Sequence, residues 1–323
     1  MPRAIVVERT GGPEVLRVAE REPGAPGAGQ ARVRVAAAGV NFVDVYFRTG
    51  LYPRPLPFVA GLEGAGRVEA VGEGVAGLAA GDRVAWASAP GSYADVVVAP
   101  AAQLVRVPDG VDLETAAAAM LQGMTAHYLV FALRDPRPGD WALVHAASGG
   151  TGLLLVQLLR RAGVRVIGTC STDAKAALVL EAGAERAVRY DREDFVAAAR
   201  EATGGRGVDV VYDGVGAATF DGSLASLRPR GLLALFGQAS GPVPPFDLQR
   251  LNAGGSLGVT RPSLAHFVAT REELELRAQG VLGAVAAGEL RVRIGARFAL
   301  ADAGEAQRAL ESRATTGKVI LVP

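Results

Sequence analysis

The segment His145-Ala146-Ala147-Ser148-Gly149-Gly150-Thr151-Gly152 constrains this chain more than any other stretch. Residues 141–144 before it are an apolar run that reads as a buried strand. Residues 153–159 after it read as a buried helix. A Gly-rich turn from strand to helix lets backbone approach a phosphate closely, and the helix N-terminus adds free N–H groups and a partial positive charge. The segment therefore points to a nucleotide cofactor, with Ala147, Ser148, Gly149, Gly150, Thr151 and Gly152 around its pyrophosphate.

The pattern around this segment supports that reading. Strands read at 141–146, 165–169, 186–188, 208–213 and 232–236, with helices between them at 152–162, 173–182, 194–203 and 219–227. Such alternation predicts a doubly wound parallel sheet, the Rossmann form of an α/β fold. Residues 1–122 read instead as β-rich, with short runs at 31–37, 64–71, 83–86 and 93–98 between Gly, Pro and Asp turns. A helix starts near Asn41 and another covers 113–133. Toward the end, 271–287 reads as a long helix and 319–322 as a strand returning to the first domain. The expected division is 1–122 completed by 266–323, with 123–265 as the nucleotide-binding domain.

Composition narrows the partners. Basic residues number 34 and acidic residues 33, a balance that argues against nucleic acid as the main partner. Cys170 is the one cysteine, so an internal disulfide and a thiolate-rich zinc site are both excluded. No apolar run approaches the ~20 residues of a membrane span. Residues 1–10 read as a strand and a turn rather than a signal peptide, and a cytoplasmic location is expected.

The end of the second strand selects the cofactor. An NAD-binding chain places Asp or Glu there for the ribose 2′-hydroxyl. This chain has Cys170, Ser171 and Thr172, with Lys175 four residues past Ser171. A carboxylate would repel a 2′-phosphate, whereas a hydroxyl and an ammonium would bind it. A charge-assisted hydrogen bond of this kind is worth ~1.5–3 kcal/mol, so NADPH is expected over NADH. Asp173 argues the other way unless it serves to cap the following helix.

Residues 39–46, Gly-Val-Asn-Phe-Val-Asp-Val-Tyr, followed by Arg48-Thr49-Gly50-Leu51-Tyr52-Pro53, resemble the N-terminal signature of quinone oxidoreductases. These are zeta-crystallin relatives in the medium-chain dehydrogenase/reductase superfamily. The resemblance continues through Phe236-Gly237, Val259-Thr260-Arg261-Pro262 and Glu311-Ser312-Arg313-Ala314-Thr315, and covers essentially the whole chain. It implies a GroES-like β-rich catalytic domain beside a Rossmann domain, with the active site in a cleft. It also implies NADPH contacts from Ser171, Lys175, Tyr190 and Arg313 at the 2′-phosphate end. Asn41, Thr125, Phe236 and Gly237 match positions near the nicotinamide, and Arg261 falls within the matching stretch. Members of the family are commonly homodimers joined through a Rossmann edge strand, for which 256–260 is the candidate.

Zinc alcohol dehydrogenases belong to the same superfamily. They carry Cys where this chain has Asn41 and His where it has Leu62. His127, His145 and His266 are scattered without ligand spacing. No metal is therefore expected, and without a Lewis acid a simple ketone is hard to polarise. A quinone or an activated alkene accepts hydride more readily. Tyr46, Tyr52 and Asn41 are the catalytic candidates, positioning the acceptor by ring contact and hydrogen bonds. The leading expectation is zinc-independent NADPH:quinone reduction. The alternatives are enone or enoyl reduction, or a non-enzymatic NADPH- or RNA-binding role.

Overall fold

The strand–helix alternation of the second half builds one parallel sheet. The computed structural model describes Met1–Pro323. Its strands in this half are β1 (Trp141–Val144), β2 (Arg165–Cys170), β3 (Arg186–Arg189), β4 (Val208–Asp213), β5 (Leu227–Leu235) and β6 (Gly258–Thr260). They lie in the order β3-β2-β1-β4-β5-β6, and every pairing is parallel. This is the doubly wound order in which ligands bind beyond the carboxyl ends of the strands. All four residues of β1 are buried, as expected of a central strand covered on both faces. Its core joins Trp141, Leu143, Ile167, Val188, Val211 and Leu233.

The helices of this half include α1 (Gly150–Arg161), α2 (Asp173–Glu181), α3 (Phe195–Ala202) and α4 (Phe220–Ser226), with a further short helix at Gln249–Ala253. α1 buries Leu153 to Val156 with Leu158 and Leu159, and carries Arg160 and Arg161 in its last turn, where cations suit the helix dipole. The side chain of Thr172 caps α2 by accepting from the Lys175 N–H, so the cap is Thr172 and Asp173 begins the helix.

β5 starts five residues earlier than the 232–236 reading, at Leu227. Pro229 and Gly231 look like breakers, but the ladder passes them through a register shift between Val208 and Val210, with Arg230 at φ +60°. The punctuation marks a bulge in the pairing rather than its start.

The chain divides into Met1–Met124 with Val268–Pro323, and Thr125–Phe267. The breaks lie at 124/125 and 267/268, against 122/123 and 265/266 read from the sequence. The first of them falls inside the helix Leu113–Phe131.

The first unit is mainly β. Its seven-stranded sheet includes Gln30–Val40, Glu63–Val71 and Arg83–Trp86. The last strand, Lys318–Val322, pairs antiparallel with Gln30–Val40, which joins the C-terminal tail to the N-terminal sheet. Trp86, Tyr93, Leu104, Val33 and Leu321 lie in its core. The strand read at 93–98 is instead Val96–Pro100. Tyr93 spends its backbone elsewhere: its N–H donates to Ala60 and its carbonyl accepts from Ile5. No helix is long and apolar enough to cross a membrane.

Candidate cofactor site and acceptor residues

The Gly-rich turn forms as a tight chain reversal after β1. Ala146 takes a left-handed φ of +50°, the Gly149 N–H donates to the Ala146 carbonyl at 2.9 Å, and α1 begins at Gly150. A Cβ on Gly152 would sit 2.5 Å from the Ala146 oxygen and 2.7 Å from the Ala147 Cα. Only glycine allows the helix this close to the strand end. Ala147 and Ser148 are buried, and the Ala147 N–H is held by the Thr169 carbonyl at 3.0 Å. The first turn of α1 is thus available to a pyrophosphate.

At the end of β2, the Lys175 Nζ donates to the Ser171 Oγ at 3.3 Å. Tyr190 follows β3 and donates its N–H to the Cys170 carbonyl at 3.2 Å. Ser171, Lys175 and Tyr190 are therefore brought together around one strand end. Phe236 and Gly237 follow β5, and both donate N–H groups to the Asp213 carbonyl, at 2.9 and 3.3 Å. A Cβ on Gly237 would lie 2.5 Å from the Gly214 oxygen, so this turn also requires glycine. Thr125 and Arg261 lie in the same unit.

Beneath the Gly-rich turn runs a buried chain that sequence reasoning missed. His145 Nδ1 is 3.0 Å from the Thr169 hydroxyl, and its Nε2 is 3.1 Å from the Ser223 hydroxyl. Ser223 and Thr219 both donate to Asp213 Oδ2, at 2.8 and 2.7 Å. Asp213 Oδ1 accepts from the Val215 and Gly216 N–H groups. Since the Ser223 proton goes to Asp213, its oxygen accepts, and the network assigns the His145 proton to Nε2. Burial pushes the His145 pKa down against the pull of Asp213, so the ring stays neutral. The chain ties the carboxyl ends of β1, β2 and β4, from which the loops around the turn depart. His145 thus braces these strand ends, although nothing in its sequence neighbourhood names Thr169, Ser223 or Asp213 as partners.

In the first unit, Asn41 precedes the helix Phe42–Thr49 and is buried. Its carboxamide donates to Glu63 Oε2 at 2.8 Å and to the Gly39 carbonyl at 3.2 Å. Its Oδ1 accepts from the Lys318 Nζ at 2.7 Å. Lys318 also bonds Glu63 Oε2 at 2.5 Å, and Glu63 Oε1 accepts the Leu121 N–H at 2.6 Å. Both amide hydrogens of Asn41 are thus engaged within the protein. Lys318 was overlooked because it adjoins the apolar run 319–322, where a lysine reads as a strand end.

Asp44, three residues on, accepts from the Asn41 N–H at 3.0 Å and the Tyr93 hydroxyl at 2.9 Å. Its other oxygen is buried without a hydrogen-bond partner. Burial pushes its pKa up to about 7, opposed by the Tyr93 hydroxyl, the Asn41 N–H and the Lys318 charge.

Tyr46 and Tyr52 pack edge to face with ring centroids 5.1 Å apart, and Phe47 meets Tyr52 at 5.9 Å. The structure brings these two predicted residues together in an aromatic cluster. Arg313 is exposed, with φ +60°, just past the helix Ala303–Glu311.

Comparison with known proteins agrees with this architecture. Residues 27–109 match the alcohol dehydrogenase GroES-like domain, and 150–273 match the zinc-binding dehydrogenase family. A quinone oxidoreductase of Pseudomonas aeruginosa is 45% identical over 100% of both chains. The chain belongs to the quinone oxidoreductase family of the medium-chain dehydrogenase/reductase superfamily. The crystal structure of the Escherichia coli quinone oxidoreductase complexed with NADPH superposes with a TM-score of 0.97. It is 42% identical, covering 99% of this chain and 100% of that one. A 2-haloacrylate reductase of a Burkholderia species is 41% identical over 100% of this chain and 99% of its own.

One of the matching families is named for zinc, but the residues here do not fit a metal. A divalent cation beside Asn41 and Glu63 would meet the Lys318 ammonium already bonded to both. No group of three or more His, Cys, Asp or Glu side chains converges elsewhere.

Proposed function

We propose that this chain is an NADPH-dependent quinone oxidoreductase that works without a metal. The observation that carries the reading is the Lys175–Ser171 pair at the end of β2, on a sheet whose Gly-rich turn leads into the N-terminus of α1. Bound NADPH supplies the hydride. The chain's own residues bind and position. The turn at 147–152 and the first turn of α1 hold the pyrophosphate, and Ser171 and Lys175 hold the 2′-phosphate, with Tyr190, Arg261 and Arg313 as further contacts. Phe236, Gly237 and Thr125 support the nicotinamide half.

Tyr46 and Tyr52 offer ring faces to a flat acceptor and hydroxyls to its oxygens. With its amide hydrogens engaged, Asn41 serves as a fixed wall rather than a donor. Reducing a quinone to the hydroquinone by hydride consumes one proton, which solvent can provide.

Reduction of an activated alkene is the second reading, supported by the full-length similarity to a 2-haloacrylate reductase. A cytoplasmic homodimer is part of the proposal. β6 forms the outer edge of its sheet and is available to pair across a two-fold axis. Lys175→Ala tests the cofactor assignment. It should raise the KM for NADPH about tenfold or more and leave that for NADH nearly unchanged, as expected for the loss of one charge-assisted phosphate contact. An unchanged NADPH preference removes Lys175 from the role.

A further inference from the structure

Two carboxylates flank the strand end assigned to the 2′-phosphate. Asp173 begins α2, two residues past Ser171 and two before Lys175. Asp191 follows Tyr190 just beyond β3. Left alone, both would repel a phosphate held by Ser171 and Lys175, and would make the site resemble one built for a ribose hydroxyl. One side chain engages both of them. Arg189, the last residue of β3, sits directly beside Cys170 in the β2–β3 register. Its NH1 donates to Asp173 Oδ1 at 2.7 Å. Its Nε and NH2 donate to the two oxygens of Asp191 at 3.1 and 2.5 Å, a bidentate fork. Its side chain is only 13% exposed, whereas Asp173 is 78% and Asp191 41% exposed. Arg192 approaches both carboxylates no closer than 3.9 Å and is itself exposed.

A residue this enclosed, with its donors turned toward two acids, is arranged to cancel charge. Both acids are held below the ordinary carboxylate range chiefly by their hydrogen bonds to Arg189, so both are ionised and need cancelling at neutral pH. Ser171 and Lys175 alone do not explain how a phosphate is tolerated at a strand end that also carries two aspartates.

We propose that Arg189 determines the preference for NADPH by neutralising Asp173 and Asp191 beside the Ser171–Lys175 pair, and not by binding the phosphate itself. The proposal rests on the assignment of that pair to the 2′-phosphate. Arg189 is in this sense a specificity-determining positioning residue. The bare sequence hides it, because an Arg at the end of a strand looks solvated and Asp173 looks adverse.

The test measures binding rather than turnover. Calorimetric Kd values for 2′,5′-ADP and 5′-AMP are compared across variants, and the 5′-AMP value reports that the site is folded. Arg189→Gln should weaken 2′,5′-ADP about tenfold, the order of repulsion expected when two carboxylates near a phosphate lose their counter-ion, and leave 5′-AMP within about twofold. Adding Asp173→Asn and Asp191→Asn to Arg189→Gln should restore most of the affinity, because the repulsive charges are then gone. Arg189→Lys keeps the charge, should keep most of the selectivity, and serves if the glutamine variant does not fold. The proposal is overturned if Arg189→Gln leaves the ratio unchanged. It is also overturned if the triple variant binds as weakly as Arg189→Gln, or if Arg189→Lys loses selectivity while still binding 5′-AMP. Lys175→Ala measured alongside separates the two levels. If it leaves the ratio intact, the phosphate site itself is misassigned; if it lowers the ratio and Arg189→Gln does not, only the role of Arg189 fails.

Discussion

Replacing Lys318 by Met should destabilise the first unit severely, and the size of the loss follows from what the ammonium touches. Lys318 and Glu63 are both almost completely buried, and Glu63 Oε2 receives both the ammonium and the Asn41 carboxamide. Methionine keeps the length of the stem but removes the charge. Glu63 is then a buried carboxylate with only the Asn41 and Leu121 amides as donors. Removing one partner of a buried ion pair costs about 3–5 kcal/mol, because the remaining charge is neither hydrated nor compensated. For a cooperative unit of this size each kcal/mol lowers Tm by about 2–4 °C, so a drop of roughly 6–20 °C is expected. Calorimetric melts of the wild type, Lys318→Met, Glu63→Gln and the double variant measure it. The double variant should recover at least half of the loss, since replacing both members of such a pair is far less costly than removing one. A single variant melting within about 2 °C of wild type would refute the reasoning. So would a double variant that melts as low as the single.

Two further outcomes follow. Asp44 in the folded chain has a pKa near 7 against an ordinary 3.8, so the fold retains a proton that the unfolded chain releases. The stability linked to it is complete in acid, declines between about pH 4 and 7, and is constant above, a loss of about 4 kcal/mol. Asp44→Asn removes this dependence, so its Tm relative to wild type should rise across that window; a flat difference would show that Asp44 titrates normally. Gly152→Ala places a Cβ 2.5 Å from the Ala146 oxygen. Since that neighbour is backbone, the turn must shift, and the KM for NADPH should rise about tenfold or more with kcat less affected; an unchanged KM would mean that the turn does not touch the cofactor.

Much of this was legible because it is local. The apolar β1 followed by the small residues 146–152 reads as a strand and a tight turn into a helix, and Ser171 and Lys175, four residues apart, read as neighbours; the structure forms both. Cap chemistry was nearly readable as well, although Thr172 rather than Asp173 is the cap. Interactions between distant segments were not legible. Lys318 meets Asn41 across 277 positions, and His145 meets Ser223 across 78, so no local pattern signals either. The start of β5 was missed because Pro229 and Gly231 have the same signature at a bulge as at a strand end. Arg189 was missed because a strand-end arginine looks the same whether it is solvated or locked between two acids.

The central claim is metal-free hydride transfer from NADPH to a quinone. The most direct test follows nicotinamide absorbance with chelator-treated enzyme against a quinone, an enone, a 2-haloacrylate and a simple ketone. The account predicts oxidation of NADPH with the quinone, a kcat/KM for NADPH about tenfold or more above that for NADH, no turnover of the ketone, and rates indifferent to the chelator. Failure of every acceptor, or activity lost to the chelator and restored by zinc, would contradict it.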